Sequence, residues 1–383
     1  MDISVFFQPV DLTLIQADSL GMTIHTHLTE FPELDDVQIA LLGVGENRKS
    51  SRNEEGRCNI DPIRKALYNL HHFDAELHIA DLGTIEPGES YEDTAFALRN
   101  TVELLVKKNI IPVIIGGTQD LTVANYLAYE NLEQVVNLVT IDRQIDLGLP
   151  DEELTHQNYL KEIVLHRPNF LFNLANIASQ RPYNSKEALN MISKMYFDNL
   201  RLGKLFEDIT QAEPLLRNAD IVSIDLSALR YSDTGSLISG PNGLYADQMC
   251  QLCKYAGMSD KLTSFGIYEY RYLDDHSFKS AQLIAEMIWY FIQGVGNRKG
   301  DFPIGSKDEY VKYTVALQSE NHEIVFYKSP KSNRWWMEVP YTAGTKNKYY
   351  RNHLIPCTYK DYQIATNDEV PDRWWMTYQK LAH

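Results

Sequence analysis

The sequence predicts an α/β protein, a three-layer α-β-α sandwich on a mainly parallel sheet, with a small C-terminal module that is α+β or β-rich. Three observations carry this. Short β-branched apolar runs alternate with stretches of helical period from residue 37 to about 300, the pattern of a parallel sheet covered on both faces. Two of those runs lead into Gly116-Gly117 and into Asp142 to Asp146, at what would be the carboxyl edge of the sheet, where open α/β proteins carry their sites. Beyond Asp308 the alternation becomes strand-like and rich in aromatics.

Residues 1–36 are mixed in character, broken by Pro9 and by the acidic stretch Glu33 to Asp36, and read as an extended arm. The first strand runs from Val37 to Val44. Asp61 as N-cap with Pro62 at the first helical position starts a helix, since both suit an unsatisfied N-terminal turn. A strand from Leu77 to Leu82 precedes a helix from Ser90 to Lys108, in which Leu98, Val102 and Leu105 form one buried stripe. Strands are then expected at Ile110 to Ile115, Val135 to Ile141, Phe170 to Ala178, Ile221 to Leu226 and Leu262 to Glu269. The helices between and after them run Leu121 to Asn131, Glu152 to Leu165, Ser185 to Leu200, Ala246 to Gly257 and Ala281 to Ile292. This divides the chain into an arm (1–36), an α/β domain (37–300) and a C-terminal module (301–383). Strands in the module are expected at Tyr310 to Leu317 and Glu323 to Tyr327. Its two Arg-Trp-Trp repeats, at Arg334 and Arg373, read as a satellite core.

The net charge of −16 argues against nucleic acid and anionic membrane as partners, because a phosphate-binding surface needs a basic stripe. With no spanning-length apolar run and no basic-then-apolar leader, the expected location is cytoplasmic. Four cysteines in 383 residues are no disulfide framework. Cys250 and Cys253 share a helical face without a second ligand pair and read as buried thiols, since zinc needs four such ligands.

The chemistry concentrates at the strand ends. Asp142, Gln144 and Asp146 alternate at spacing two, so they project to one side wherever strand geometry persists. These residues carry a resemblance. Gly116-Gly117-Thr118-Gln119-Asp120 resembles the G-G-D-H-S segment of the ureohydrolases, the arginase, agmatinase and formimidoylglutamase superfamily. Asp142-Arg143-Gln144-Ile145-Asp146 is similar to that family's D-A-H-x-D, and Ser223-Ile224-Asp225-Leu226-Ser227 to its S-x-D-x-D. Asp61-Pro62-Ile63-Arg64, Asn242-Gly243-Leu244 and Tyr268-Glu269-Tyr270 resemble G-P-x-x-I-R, G-G-L and V-E-V-N-P, with order and spacing kept over about residues 37 to 297.

In that family two manganese ions share a hydroxide that attacks a guanidinium or amidine carbon. The resemblance implies metal positions at Gln119, Asp142, Gln144, Asp146, Asp225 and Ser227, a guanidinium grip at Glu269, and a proton-shuttling histidine near His156. It also implies a homo-oligomer. Both family histidines are glutamine here and one aspartate is serine. What survives is an all-oxygen set for one weakly held manganese, magnesium or calcium ion, or for none. The second position is too poor in charge to lower the pKa of a bound water. The expectation is therefore a protein whose binuclear manganese site is largely lost and which serves a non-catalytic binding, scaffolding or regulatory role. The alternative is a hydrolase of C–N bonds in linear amidines, guanidino or formimino, using a single divalent metal. Partners would be a small guanidino or amidino compound and, through the C-terminal module, another protein. Without a cation the converging carboxylates need a proton or an internal arginine. Arg143 has the wrong parity for that, which leaves Arg230 as the candidate.

Overall fold

The computed structural model of the chain describes residues 2–382 apart from 12–15, 17, 51–57, 74, 133, 150, 304–306, 318–321 and 342–349. Its main sheet has ten strands: β1 (Phe7–Gln8), β2 (Ile24–Thr26), β3 (Ile39–Val44), β4 (Ile79–Ile85), β5 (Ile111–Ile115), β6 (Val136–Ile141), β7 (Leu171–Ser179), β8 (Asp198–Arg201), β9 (Ile221–Asp225) and β10 (Ser264–Tyr268). They lie in the order β1-β4-β3-β5-β10-β9-β6-β7-β8, with β2 also on β4. Only β1 runs antiparallel to its neighbour.

Both faces are covered, as β-branched runs without polar alternation require. On one face Leu41, Ile115, Ile141 and Val222 pack in a core with the helices Asp61–Tyr68, Ala246–Gly257 and Lys279–Gly296. On the other, Ala40, Leu42, Ile114 and Leu138 meet the helices Tyr91–Lys107, Thr122–Leu127 and Leu160–Leu165. The Tyr91–Lys107 helix begins at a capping box, Ser90 and Asp93 each satisfying the other's backbone N–H. Five strands finish level. Ile115, Ile267, Ile224, Ile141 and Ile177 stand in register across β5, β10, β9, β6 and β7. The residues that follow them therefore leave the sheet along one edge.

Several elements differ from expectation. The N-terminal arm joins the sheet, because Phe7–Gln8 and Ile24–Thr26 both pair with β4. The Asp61 helix has Ile60 as its cap residue, and the Asp61 N–H is taken by Asn59 Oδ1 at 2.9 Å. The helix expected from Glu152 is confined to Leu160–Leu165, since Glu152 and Asn158 spend their side chains on the N–H groups of Leu149 and Thr155. The helix from Ser185 stops at Lys194, and the chain turns through Tyr196 (φ 55°) into β8. Short helices at Leu202–Glu207 and Glu213–Asn218 carry no strong apolar period.

The C-terminal residues build a second, antiparallel sheet in the order β11 (Val311–Leu317), β12 (His322–Lys328), β13 (Trp335–Glu338), β14 (Leu354–Cys357), with the helices Tyr359–Thr366 and Asp372–Ala382. Its core takes in Val135 and Phe172 from the starts of β6 and β7. Trp335, Trp336 and Trp374 are buried as the satellite-core reading requires, whereas Trp375 is half exposed. This sheet docks at the amino edge of the main sheet. Arg217 donates to the carbonyls of Trp335 and Cys357 at 3.0 Å each and lies over the Trp336 ring. Asp220, just before β9, accepts from the Asn137 N–H and Nδ2 at 2.9 and 2.8 Å and pairs with Arg351 at 3.2 Å.

Candidate functional site

The level row of isoleucines delivers Asp142 and Asp146 after β6, Asp225 at the end of β9, Glu269 after β10 and Gln119 after β5 to the carboxyl edge. Gly116 and Gly117 turn the chain after β5 with φ of 91° and 74°, a conformation that L side chains resist. A Cβ on Gly117 would lie 2.7 Å from the Glu46 carbonyl oxygen. Asp142, Asp146 and Asp225 each bring a carboxylate oxygen within 4.8 Å of the other two, and all three residues are buried. They open on a cavity of about 140 Å³ whose wall includes Arg143, Gln144, His156, Ser227 and Arg271.

Electrostatically the three aspartates are strained. Burial pushes the Asp142 carboxyl up to about 6. Asp146 is held well above the carboxylate range by burial and then by the charges of Asp142 and Asp225, and Asp225 by burial and then by Asp142 and Glu269. Among the described residues no arginine or lysine forms an ion pair with them. Arg230, expected as the neutralising partner, instead lies over the Tyr245 ring at 3.6 Å and donates to the Gly243 carbonyl. Arg143 lies over Tyr183 at 4.5 Å, as its parity requires. Three carboxylates with close oxygens and, among the described residues, no ion-paired arginine or lysine fit one hard divalent cation.

The other expected ligands are placed differently. Ser227 donates its hydroxyl to Asp142 Oδ1 at 3.2 Å and its N–H to Asp225 Oδ1 at 2.6 Å. The Gln119 amide nitrogen donates to Ser223 Oγ at 3.2 Å, leaving Gln119 Oε1 buried without a protein partner among the described residues. Gln144 is half-buried in the cavity wall. No second cluster of three or more ligating acids, histidines or cysteines occurs among the described residues. Cys250 and Cys253 are buried thiols, with burial pushing Cys250 up to about 12.

His156 reaches the cavity. Its Nδ1 is 3.1 Å from Glu269 Oε1, while its Nε2 is buried without a protein partner among the described residues. Burial works against the charged ring, but the Glu269 carboxylate outweighs it, so the pKa is raised. Glu269 stands at φ 67° and also accepts the Gln119 N–H at 3.0 Å, and Arg271 pairs with it at 3.8 Å. Glu269 is thus engaged by three groups of the protein itself. Sequence reasoning missed Arg271, which lies two residues beyond Glu269. It also missed Asp120, a buried acid beside Gln119 that burial pushes up to about 6.

Residues 37–293, well over half of the chain, match the Arginase family model. The chain belongs to the arginase family. Among curated arginase-family relatives, the formimidoylglutamase of Staphylococcus haemolyticus is 22% identical over 291 residues, covering 70% of this chain and 92% of that protein. A formimidoylglutamase of a Geobacillus species is 25% identical over 265 residues, covering 64% and 80%. In structure, Bacillus subtilis formimidoylglutamase superposes with a TM-score of 0.66 at 17% identity, covering 77% of this chain and 97% of that one. A Trypanosoma cruzi formiminoglutamase solved with Mn2+ gives 0.61 at 18%, covering 70% and 97%. These likenesses establish the arginase-like fold, and the C-terminal sheet lies outside the region that matches the family.

Proposed function

We propose that this arginase-family chain binds one divalent cation rather than two, at Asp142, Asp146 and Asp225, and holds a small guanidino or amidino compound in the adjoining cavity. Its role in this reading is binding, scaffolding or regulation rather than hydrolysis. The observation that carries the single ion is Ser227: where a second ion would need a carboxylate, a neutral hydroxyl donates to Asp142. Gln119 and Gln144 are likewise neutral, so no side chain beyond the shared aspartates offsets a second double charge. A manganese- or magnesium-type ion held there supplies Lewis acidity to an oxygen or nitrogen ligand. Arg143 and Arg271 line the cavity and set the polarity of its walls. The proposal extends to the arm, α/β and module division at residues 36 and 300, to a cytoplasmic setting and to a homo-oligomer, for which light scattering at micromolar concentration is the check.

A second reading, hydrolysis of an amidine C–N bond with a single ion, is favoured by the His156–Glu269 pair. An imidazole fixed at Nδ1, with a raised pKa and an unpartnered Nε2, is equipped to hand a proton to a leaving amine. One experiment separates the readings. After manganese loading and dialysis, metal is counted by mass spectrometry, and release of urea, ammonia or formamide is measured from arginine, agmatine and formimidoylglutamate. One ion per chain with background release supports the first reading, and no ion at all refutes the cation site. One ion with sustained turnover supports the second, and two tightly held ions refute the single-ion site.

A further inference from the structure

The two borders of the C-terminal sheet differ. β14 is the docked one: Asn352, two residues before it, accepts from Asn137 Nδ2 and Lys261 Nζ at 2.9 and 3.1 Å, and the Cys357 carbonyl accepts from Arg217. β11 forms the other border, and among the described residues no strand pairs with its outer side. It runs against β12 from Val311 to Leu317 without a break in register, and it contains no proline. A straight edge of this length leaves the peptide groups of every second residue pointing outward, ready for another strand.

The side chains of β11 alternate, as a strand with one covered face requires. Tyr313, Val315 and Leu317 pack on the module's core, with the Tyr313 ring 5.6 Å from that of Tyr362, and the same alternation puts Val311 on this face. Lys312, Thr314 and Ala316 are exposed on the other. The core is open at this border: Leu317 is buried, Tyr313 and Val315 are half-buried, and Val311 is 48% exposed. A further strand laid along β11 would take these apolar groups out of water.

We propose that this strand is β11 of a second copy of the chain, laid antiparallel about Thr314, so that two four-stranded sheets join into one. The sequence is self-complementary in that register. Val311 meets Leu317 of the second copy, Tyr313 meets Val315, and Thr314 meets its own counterpart, pairings of the kind that stabilise antiparallel strands. A slip of one residue would set core-facing side chains opposite exposed ones, and a slip of two would shorten the ladder. The charges match as well. Lys312 meets Ala316, whose small side chain lets the lysine reach past it to Glu323, the neighbour of Ala316 on β12. That span is two strand spacings, about 10 Å, within the combined reach of the two side chains. Lys312 and Glu323 are both exposed, and among the described residues neither forms an ion pair within its own chain. The two-fold axis repeats the bridge at the other end of the ladder. This surface lies beyond residue 293, outside the family match, and the inference rests on the homo-oligomer part of the proposed function alone.

Sedimentation velocity of the full-length protein over about 1–100 µM should show a monomer–dimer equilibrium, because so short a ladder buries little area. T314K sets like charges face to face on the axis and should weaken the dimer by about tenfold or more, with an unchanged melting temperature, since Thr314 is exposed. K312E should weaken it about three- to tenfold, and K312E/E323K, which swaps the charges, should recover the loss. The register is read by crosslinking. Cys58, Cys250, Cys253 and Cys357 are buried, so T314C supplies an exposed thiol that copper-phenanthroline oxidation should link to its counterpart across the axis. V311C is also exposed but stands opposite Leu317, about 20 Å from its own counterpart, and should stay unlinked. Should T314K fold poorly, the T314C and V311C comparison decides. A monomer throughout the range, or V311C linking as fast as T314C, overturns the proposal. An oligomer that T314K leaves intact also overturns it, while the homo-oligomer reading stands on another surface. None of these outcomes touches the cation site.

Discussion

A single buried aspartate and a cluster of three sit at opposite edges of one sheet and are solved in opposite ways. At the amino edge Asp220 is completely buried, yet it is met by the Asn137 backbone and side chain, by Arg351 at 3.2 Å and by Lys261 at 3.8 Å. At the carboxyl edge Asp142, Asp146 and Asp225 are also buried, though they border a cavity, and among the described residues none of them is paired with a cation. A buried charge whose partners come from the fold is part of the architecture. A buried cluster without them is destabilised until something from outside arrives, and that asymmetry is what makes the carboxyl edge the candidate site.

Breaking the satisfied cluster should cost most. D220A strands Lys261 and Arg351 without their counter-charge, and a loss of about 3–5 kcal/mol is expected in denaturant unfolding. The C-terminal sheet should loosen with it, and added metal should not restore it. At the other edge the cost is reversed by a ligand: manganese at a hundredfold excess over its Kd should stabilise the protein by about 2.7 kcal/mol. D225N should abolish that gain in thermal melts. The comparison sharpens in the triple variant Q119H/Q144H/S227D, which supplies a full set of family-type ligands. It is expected to take up a second manganese ion and to melt higher in its presence, with hydrolysis still near background. Failure to bind a second ion would mean that these strand ends have departed from the family geometry.

The two edges should also respond oppositely to pH. The three aspartates have folded-state pKa values above the unfolded value of about 3.9, so the stability they contribute is complete below that value. It is lost as pH rises through about 6 for Asp142, and Asp146 and Asp225, also raised by burial and by their acidic neighbours, act in the same direction. The unfolding midpoint of metal-free protein should therefore fall over this range, and bound manganese should flatten the fall. At the amino edge burial lowers Lys261 to about 8, so its contribution is present above the unfolded value of about 10.4 and lost as pH falls through 8. K261M should remove that limb. The smallest effect is expected for S227A, which deletes one hydrogen bond to Asp142, about 0.5–1.5 kcal/mol.

Most of the sheet was legible because its strands are short β-branched runs with no competing period, and five of them carry, at or within two residues of their ends, isoleucines that come to lie in register. The aspartates were legible as strand-end residues. What was not legible depends on partners distant in sequence. β8 carries Asp-Asn-Leu-Arg, which has no strand pattern, and it is a strand because β7 offers it an edge. The residues of the arm look irregular for the same reason. Arg230 was expected among the aspartates, but a tyrosine fifteen residues on holds its guanidinium elsewhere. Ser227 could be named, but that its hydroxyl turns back to Asp142 could not. The pairing of His156 with Glu269 joins residues over a hundred positions apart and is visible only in three dimensions.

The pairing of β1 and β2 with β4 has a consequence for how the molecule meets other molecules. An outermost parallel strand exposes a row of free N–H and C=O groups that any extended peptide can join. Here β4 is capped along its length by two short pieces of the N-terminal arm, Phe7–Gln8 against Thr84 and Ile85, and Ile24–Thr26 against Ile79 to Asp81. The opposite border is only the four residues of β8. The chain thus seals its own flank, and trimming the first thirty residues should yield a protein whose defect is stickiness: fibril or aggregate growth from an uncovered β4.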